Sequence, residues 1–196
     1  MRDIYFVRHA ESDISVHDDF YRPLTPKGNM DSILVANYLK NKDINYIFSS
    51  PYVRAVETVR HLADDLNIPI KCINDFKERY ITDQWIDNFG SFAEQQWNDF
   101  DYKFSDGESL NEVQNRNVEA LKNLLEKYPI ENIVVGSHGT ALCTLLNYFY
   151  PSYGFEDFNR MKGIMPWIVK LTFEGNTLIK MESINVIKDN EVAILI

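Results

Sequence analysis

The sequence predicts an α/β fold, a three-layer α/β/α sandwich around a mostly parallel central sheet with an antiparallel hairpin at its edge. Three observations predict it. Short apolar runs alternate with segments whose apolar residues recur at helical spacing, and strands separated by helices imply parallel neighbours, because parallel pairing needs a crossover connection. Two of the runs, Ile4-Tyr5-Phe6-Val7 and Asn132-Ile133-Val134-Val135, lead into reactive polar residues, Arg8-His9 and Ser137-His138. Towards the C-terminus, two alternating runs flank Glu174-Gly175-Asn176, the pattern of a hairpin.

In chain order, Ile4 to Val7 reads as a buried strand presenting Arg8 and His9 at its tip, where ligands sit in open parallel sheets. The stretch from Asp13 to Arg22, with Asp13, His17, Asp18 and Asp19 and little periodicity, reads as a loop over that strand end. Thr25 then caps a helix that begins at Pro26, with Met30, Ile33, Leu34, Val35, Tyr38 and Leu39 at helical spacing. Asn45 to Phe48 is a second strand. Ser50-Pro51 repeats the cap-plus-proline start, and Val53, Val56, Val59, Leu62, Ala63 and Leu66 mark the face of the helix that follows. Ile68 to Ile73 reads as a third strand.

Over about residues 82–106 the character changes to an aromatic, helical insertion near the site, with Trp85, Phe89, Phe92, Trp97 and Phe100 at roughly helical intervals. Such a stripe reads first as packing and second as a flap over the site. Ser109-Leu110-Asn111-Glu112 is a capping box opening a helix that carries Leu110, Val113, Leu121, Leu124, Leu125 and Tyr128 and stops near Pro129. After the strand leading to His138, Ala141, Leu142, Leu145, Leu146 and Phe149 form another helix, closed by Tyr150-Pro151. Trp167 to Phe173 and Thr177 to Met181 make the hairpin. No repeat, linker or low-complexity tract interrupts residues 1–196, which read as a single domain.

Composition narrows the function. At 45% hydrophobic and 25% charged the chain is an ordinary globular protein, and 20 basic against 29 acidic side chains leave a net charge of -9. That balance argues against sequence-independent nucleic-acid binding, so an anionic substrate needs a local positive pocket. Cys72 and Cys143 match no zinc or redox spacing and read as plain thiols of a cytoplasmic protein. The apolar run after Met1-Arg2-Asp3 is too short for a signal peptide or a membrane span.

Three strand ends offer Arg8-His9, Arg54 and His138 to one crevice. Arg54 lies in the first turn of its helix, where free backbone amides and the helix dipole favour an anion, and a guanidinium adds bidentate donors shaped for phosphate. Of two imidazoles, one can attack phosphorus while the other holds its oxygens. The leaving alcohol needs a proton, and Glu78, in Asp75-Phe76-Lys77-Glu78-Arg79 beyond the third strand, is the best-placed carboxyl group. Arg22, Lys77, Arg79 and Arg160 are equally pocket or surface charges, His17 and His61 read as loop and helix-surface residues, and Arg116 pairs by spacing with Glu112.

These motifs resemble the histidine phosphatase superfamily, in the branch that includes cofactor-dependent phosphoglycerate mutase. Arg8-His9-Ala10-Glu11-Ser12 resembles the RHG signature with alanine in place of glycine, and Leu24-Thr25-Pro26-Lys27-Gly28 its next block. Ser49-Ser50-Pro51-Tyr52-Val53-Arg54-Ala55-Val56-Glu57-Thr58, Gly107-Glu108-Ser109-Leu110 and Val134-Val135-Gly136-Ser137-His138-Gly139 follow in the family's order, so the resemblance covers about residues 3–146. It implies a phosphoglycerate mutase-like fold and a transient phosphohistidine at His9. It implies too that Arg8, Arg54 and His138, with Gly139 beside them, hold the phosphoryl group, and that Glu78 is the general acid and base. The resemblance implies no cofactor and no metal, the arginines and second histidine supplying the charge.

Two departures stand out. Ser15 occupies the place of an asparagine that touches phosphate in many members, so that contact is lost or passes to the hydroxyl of Ser12 or Ser15; Cys143 stands where an arginine often follows the second histidine. The stretch from Glu78 to His138 is short and the chain has no adjacent pair of arginines, which favours hydrolysis of a phosphorylated metabolite or phosphoprotein over a mutase reaction. Phe76-Lys77-Glu78-Arg79 is locally mutase-like, and Arg22-Pro23-Leu24-Thr25 suggests a phosphohistidine-protein phosphatase. A non-catalytic phosphate-binding module is the alternative outside enzymology.

Overall fold

Strand β1 (Arg2–Arg8) is apolar on both faces, and both faces are covered. Ile4 and Phe6 join Ile133, Val135, Val169 and Leu171 on one side; Tyr5 and Val7 join Val35, Leu39, Val134 and Ile168 on the other. A strand sandwiched in this way reads as a continuous apolar run rather than an alternating one. The chain is described by a computed structural model over residues 1–83, 86–188 and 190–195.

The remaining strands are β2 (Ile44–Ser49), β3 (Ile70–Cys72), β4 (Asn132–Ser137), β5 (Trp167–Glu174), β6 (Thr177–Asn185) and β7 (Glu191–Ile194). They form one 7-stranded sheet in the order β3-β2-β4-β1-β5-β6-β7. The first four are parallel neighbours, and β5, β6 and β7 are antiparallel. Helices α1 (Pro26–Leu39) and α2 (Val53–Leu66) cover one face. On the other lie α4 (Leu110–Lys127) and α5 (Gly139–Phe149), with α3 (Phe89–Asn98) packed on α6 (Phe155–Met161) beside them. The three-layer sandwich, with a parallel part of the sheet and an antiparallel hairpin beside it, is therefore as the sequence predicts, and β7 adds a third antiparallel strand at the edge. Among the described residues, no helix is long and apolar enough to cross a membrane.

Several local expectations hold. Thr25 accepts from the Gly28 amide at 2.9 Å with Pro26 in the first turn, and Ser109 and Glu112 close a capping box at the start of α4. Phe92 and Trp97 are buried in the core, so these members of the aromatic stripe pack; Trp85 lies outside the described residues.

Others need correction. Ser50 does not cap α2: the helix begins at Val53 with Tyr52 in the cap position, and the Ser50 hydroxyl serves the Tyr52 amide and His138 instead. Met30, Ile33 and Leu34 face outward on α1, whose inner face is Val35, Ala36 and Leu39 with the small Gly28 and Ser32. Apolar residues around more than one face of a helix leave spacing unable to pick the inner one. The third strand is only Ile70–Cys72, because Asn67 takes a left-handed conformation (φ 52°) and ends α2 just before it. Arg116 does not pair with Glu112, which is held by Lys103 and the capping box; it turns to Glu108. Helix α6 and strand β7 had no expectation at all.

Candidate active site

Register places the site. Arg8 on β1 pairs with Ser137 on β4, and Ser49 on β2 pairs with Gly136, so three parallel strands end at one level. The next residues, His9, His138 and Ser50, therefore emerge side by side, tied by His9 N to Ser137 O at 3.0 Å and Ser50 N to Gly136 O at 2.8 Å. The two imidazole centroids are 5.4 Å apart. His9 is buried and His138 fully so.

His9 is held in one tautomer. Its Nδ1 lies 2.7 Å from the Ala10 carbonyl, which can only accept, so Nδ1 carries the proton and Nε2 the lone pair. The Ala10 amide donates to Thr58 Oγ1 at 2.9 Å, and the Thr58 hydroxyl donates to the Arg54 carbonyl at 2.7 Å, fixing the turn after β1 against α2. Burial, then the charges of Arg54 and Arg8, hold the His9 imidazole well below its ordinary pKa. His138 is shifted the same way, by burial first and by Arg54 next. Both rings are thus biased towards the neutral form.

Around the histidines stand the cations. Arg8 Nη1 donates to the carbonyls of Met161, the last residue of α6, and of Ile164 at 2.7 and 3.1 Å, while its Nε is buried with no partner among the described residues. Gly139 leaves room for that guanidinium, since a Cβ there would stand 3.2 Å from Arg8 Nε and 3.3 Å from Cζ. Arg54, in the first turn of α2, donates to the Asp19 carbonyl at 2.5 Å and pairs with the Asp19 carboxylate at 3.2 Å. Asp19 also pairs with Arg22 at 2.9 Å, so one carboxylate from the 13–22 loop links two guanidiniums. The Tyr52 ring lies against both Arg54 and His138, at 5.1 Å from each.

His138 caps α5. Its Nε2 is 2.7 Å from Ser50 Oγ, and Nδ1 is buried with no partner among the described residues. Glu78 approaches the same helix end: its carboxylate accepts from Thr140 N at 3.0 Å, Ala141 N at 3.1 Å and Arg79 N at 2.8 Å. These otherwise unsatisfied amides of the first turn fix the carboxyl group at the start of α5.

The structure thus gathers Arg8, His9, Arg54, Glu78, His138 and Gly139. It leaves Ser15 apart, its hydroxyl turned to Asp13 at 2.6 Å on an exposed loop. Arg79 is also diverted, its guanidinium buried between Phe89 and Phe92 and bonded to Gln96, which anchors α3. Reasoning from sequence missed Ser50, Tyr52 and Asp19 as neighbours of the site. Ser50 and Tyr52 lie in the block that carries Arg54, and that proximity was the available signal.

A sheet with two histidines, two arginines and a carboxylate gathered at its parallel strand ends is an arrangement of the histidine phosphatase kind. The histidine phosphatase superfamily (branch 1) matches residues 4–186, and the chain belongs to it. It is 27% identical over 151 residues to PhoE, an uncharacterized phosphatase of Bacillus subtilis (strain 168), covering 74% of this chain and 76% of that one. It is 26% identical over 162 residues to GpmB, a probable phosphoglycerate mutase of Serratia proteamaculans (strain 568), covering 75% and 74%. Among solved structures, YhfR of Bacillus stearothermophilus superposes with a TM-score of 0.76 at 22% identity, over 91% of this chain and 95% of that one.

Proposed function

We propose that the protein is a phosphomonoester hydrolase working through a phosphohistidine at His9. The observation that carries this reading is the His9 ring, locked with Nδ1–H on the Ala10 carbonyl, so that Nε2 presents a lone pair beside His138. In the first step Nε2 bonds to phosphorus, the bond from phosphorus to the ester oxygen breaks, and Glu78 gives that oxygen a proton, releasing the alcohol. In the second, water attacks phosphorus, Glu78 takes its proton, and the N–P bond breaks to free inorganic phosphate and His9.

Phosphoryl oxygens meet donors from Arg8, Arg54 and His138. Arg8 Nε and His138 Nδ1, both buried and without partners among the described residues, are the donors in want of an acceptor. For Nδ1 to donate, the proton must sit there, which fits the Ser50 hydroxyl donating to Nε2 while accepting from Tyr52 N. Preorganised donors of this kind stabilise the charge developing in phosphoryl transfer. Gly139 contributes space for Arg8. We read residues 1–196 as one domain in which α3, bonded through Gln96 to the Arg79 that follows Glu78, flanks that side of the site.

The test is turnover of an aryl phosphate in the presence of chelator, which His9→Ala should abolish. Inactivity of the unaltered protein across a broad phosphoester panel would favour a binding module. The likeness to a probable phosphoglycerate mutase supports mutase activity as the second reading. Following 3-phosphoglycerate with and without bisphosphate primer decides it: isomerisation outrunning phosphate release would overturn the hydrolase.

A further inference from the structure

In the reaction proposed above Glu78 carries the proton, yet it sits on neither helix nor strand. After β3 the chain makes a 3-10 turn at Asn74–Phe76 and then runs without regular structure past Glu78. A carboxyl group on such a segment needs its main chain fixed, since misplacement by about an ångström costs on the order of a hundredfold in rate.

Arg116 on α4 supplies the fixing. Its Nη1 donates to the Asp75 carbonyl at 2.7 Å and the Lys77 carbonyl at 2.8 Å. Its Nη2 donates to the Glu78 carbonyl at 3.2 Å and to Glu108 Oε2 at 3.0 Å, and its Nε donates to Glu108 Oε1 at 2.8 Å. Every N–H of the guanidinium is therefore committed, and none remains for a phosphoryl oxygen. Glu108 bonds the other side of Glu78, accepting from Tyr80 N at 2.9 Å while its own amide donates to the Tyr80 carbonyl at 2.8 Å. The neighbouring Gly107 permits this contact, because a Cβ there would stand 2.1 Å from the Ile81 carbonyl oxygen. Glu112, the obvious helical partner of Arg116, is held by Lys103 and the capping box, leaving Arg116 to Glu108.

We propose that Arg116, clamped by Glu108, is the positioning residue for Glu78: it grips the carbonyls around Glu78 so that the carboxyl group stays at the His138 end of α5. The proposal rests on Glu78 as proton donor. It assigns Arg116 to the proton-transfer steps and not to phosphate binding or to attack by His9. A lysine cannot replace it, because one ammonium cannot span a carboxylate and three carbonyls in a plane.

The experiment compares Arg116→Ala, Arg116→Lys, Glu78→Gln and the Glu78→Gln/Arg116→Ala pair in the full chain, using p-nitrophenyl phosphate and an alkyl phosphate. General acid catalysis contributes about 10²–10⁴-fold where the leaving group is poor, so Arg116→Ala should lose at least about tenfold in kcat/KM on the alkyl ester and little on the aryl ester. Arg116→Lys should behave likewise, inhibition by inorganic phosphate should be unchanged, and added guanidinium ion should restore alkyl turnover to Arg116→Ala. On the Glu78→Gln background, Arg116→Ala should add no further loss. Equal losses on both esters for Arg116→Ala, or full additivity with Glu78→Gln, would overturn the positioning role. If Glu78→Gln itself lowers kcat/KM equally on both esters, the reading of Glu78 fails and the proposal falls with it, an outcome seen in that arm alone. Should Arg116→Ala lose its far-UV circular dichroism, Glu108→Gln is judged by the same criteria.

Discussion

Acidification from about pH 7.5 to about pH 5.5 should destabilise this fold through its two buried imidazoles. His9 is 8% exposed and His138 0% exposed, and burial beside Arg54 and Arg8 holds both well below the ordinary histidine value of 6.5. In the unfolded chain each binds a proton as the pH falls past that value; in the folded protein it does not. The unfolded state then holds more protons, so the stability present above the unfolded pKa is lost as the pH drops towards the folded one. One unit below the unfolded value, each histidine costs on the order of 1 kcal/mol and the pair roughly twice that, against a total stability of roughly 5–15 kcal/mol. The shifted carboxylates Glu108, Glu112 and Glu182 act lower, because each lies below an ordinary value of 4.5, so the window above it belongs to the histidines. Urea unfolding across this range measures the slope, and His9→Asn should remove about half of it. A flat free energy between about pH 7.5 and about pH 5.5, or a slope indifferent to His9→Asn, would refute the reasoning.

Asp19→Asn should tighten competitive inhibition by inorganic phosphate up to about fivefold, since the carboxylate it removes is exposed and such pairs are worth about 1 kcal/mol or less; weaker inhibition would show that Asp19 orients Arg54 instead of competing for it. Gly139→Ala presses a methyl group on the Arg8 guanidinium, which the Met161 and Ile164 carbonyls hold in place. Its KM for an aryl phosphate should rise about tenfold, the loss of one charge-assisted hydrogen bond, with an unchanged melting temperature. Ser50→Ala removes the partner of His138 Nε2 and should cost about fivefold in kcat, the worth of a neutral hydrogen bond, measured on the same substrate.

The parallel core and the chemistry at its strand ends were legible because each rests on local pattern: apolar runs, cap residues, and polar residues directly after the runs. Arg8, His9 and His138 could be placed together because strands of one parallel sheet end at a common level, which the pairing of Arg8 with Ser137 realises. What escaped depended on contacts distant in sequence. The Arg116–Glu108 pair was hidden behind the closer Glu112, and α6 matters because its final carbonyl receives Arg8 across the fold. Strand β7 is exposed along its length, so no burial pattern marked it. Ser15 illustrates the opposite error, a position assigned by correspondence whose hydroxyl its own loop consumes through Asp13.

The central claim is that His9 Nε2 takes the phosphoryl group. Rapid acid-free quenching of the enzyme turning over a ³²P-labelled monoester, followed by peptide mapping, tests it directly. The account predicts label on His9 that is lost on acid treatment and absent from His9→Ala. Steady turnover with no label on His9, or label persisting in His9→Ala, would contradict it.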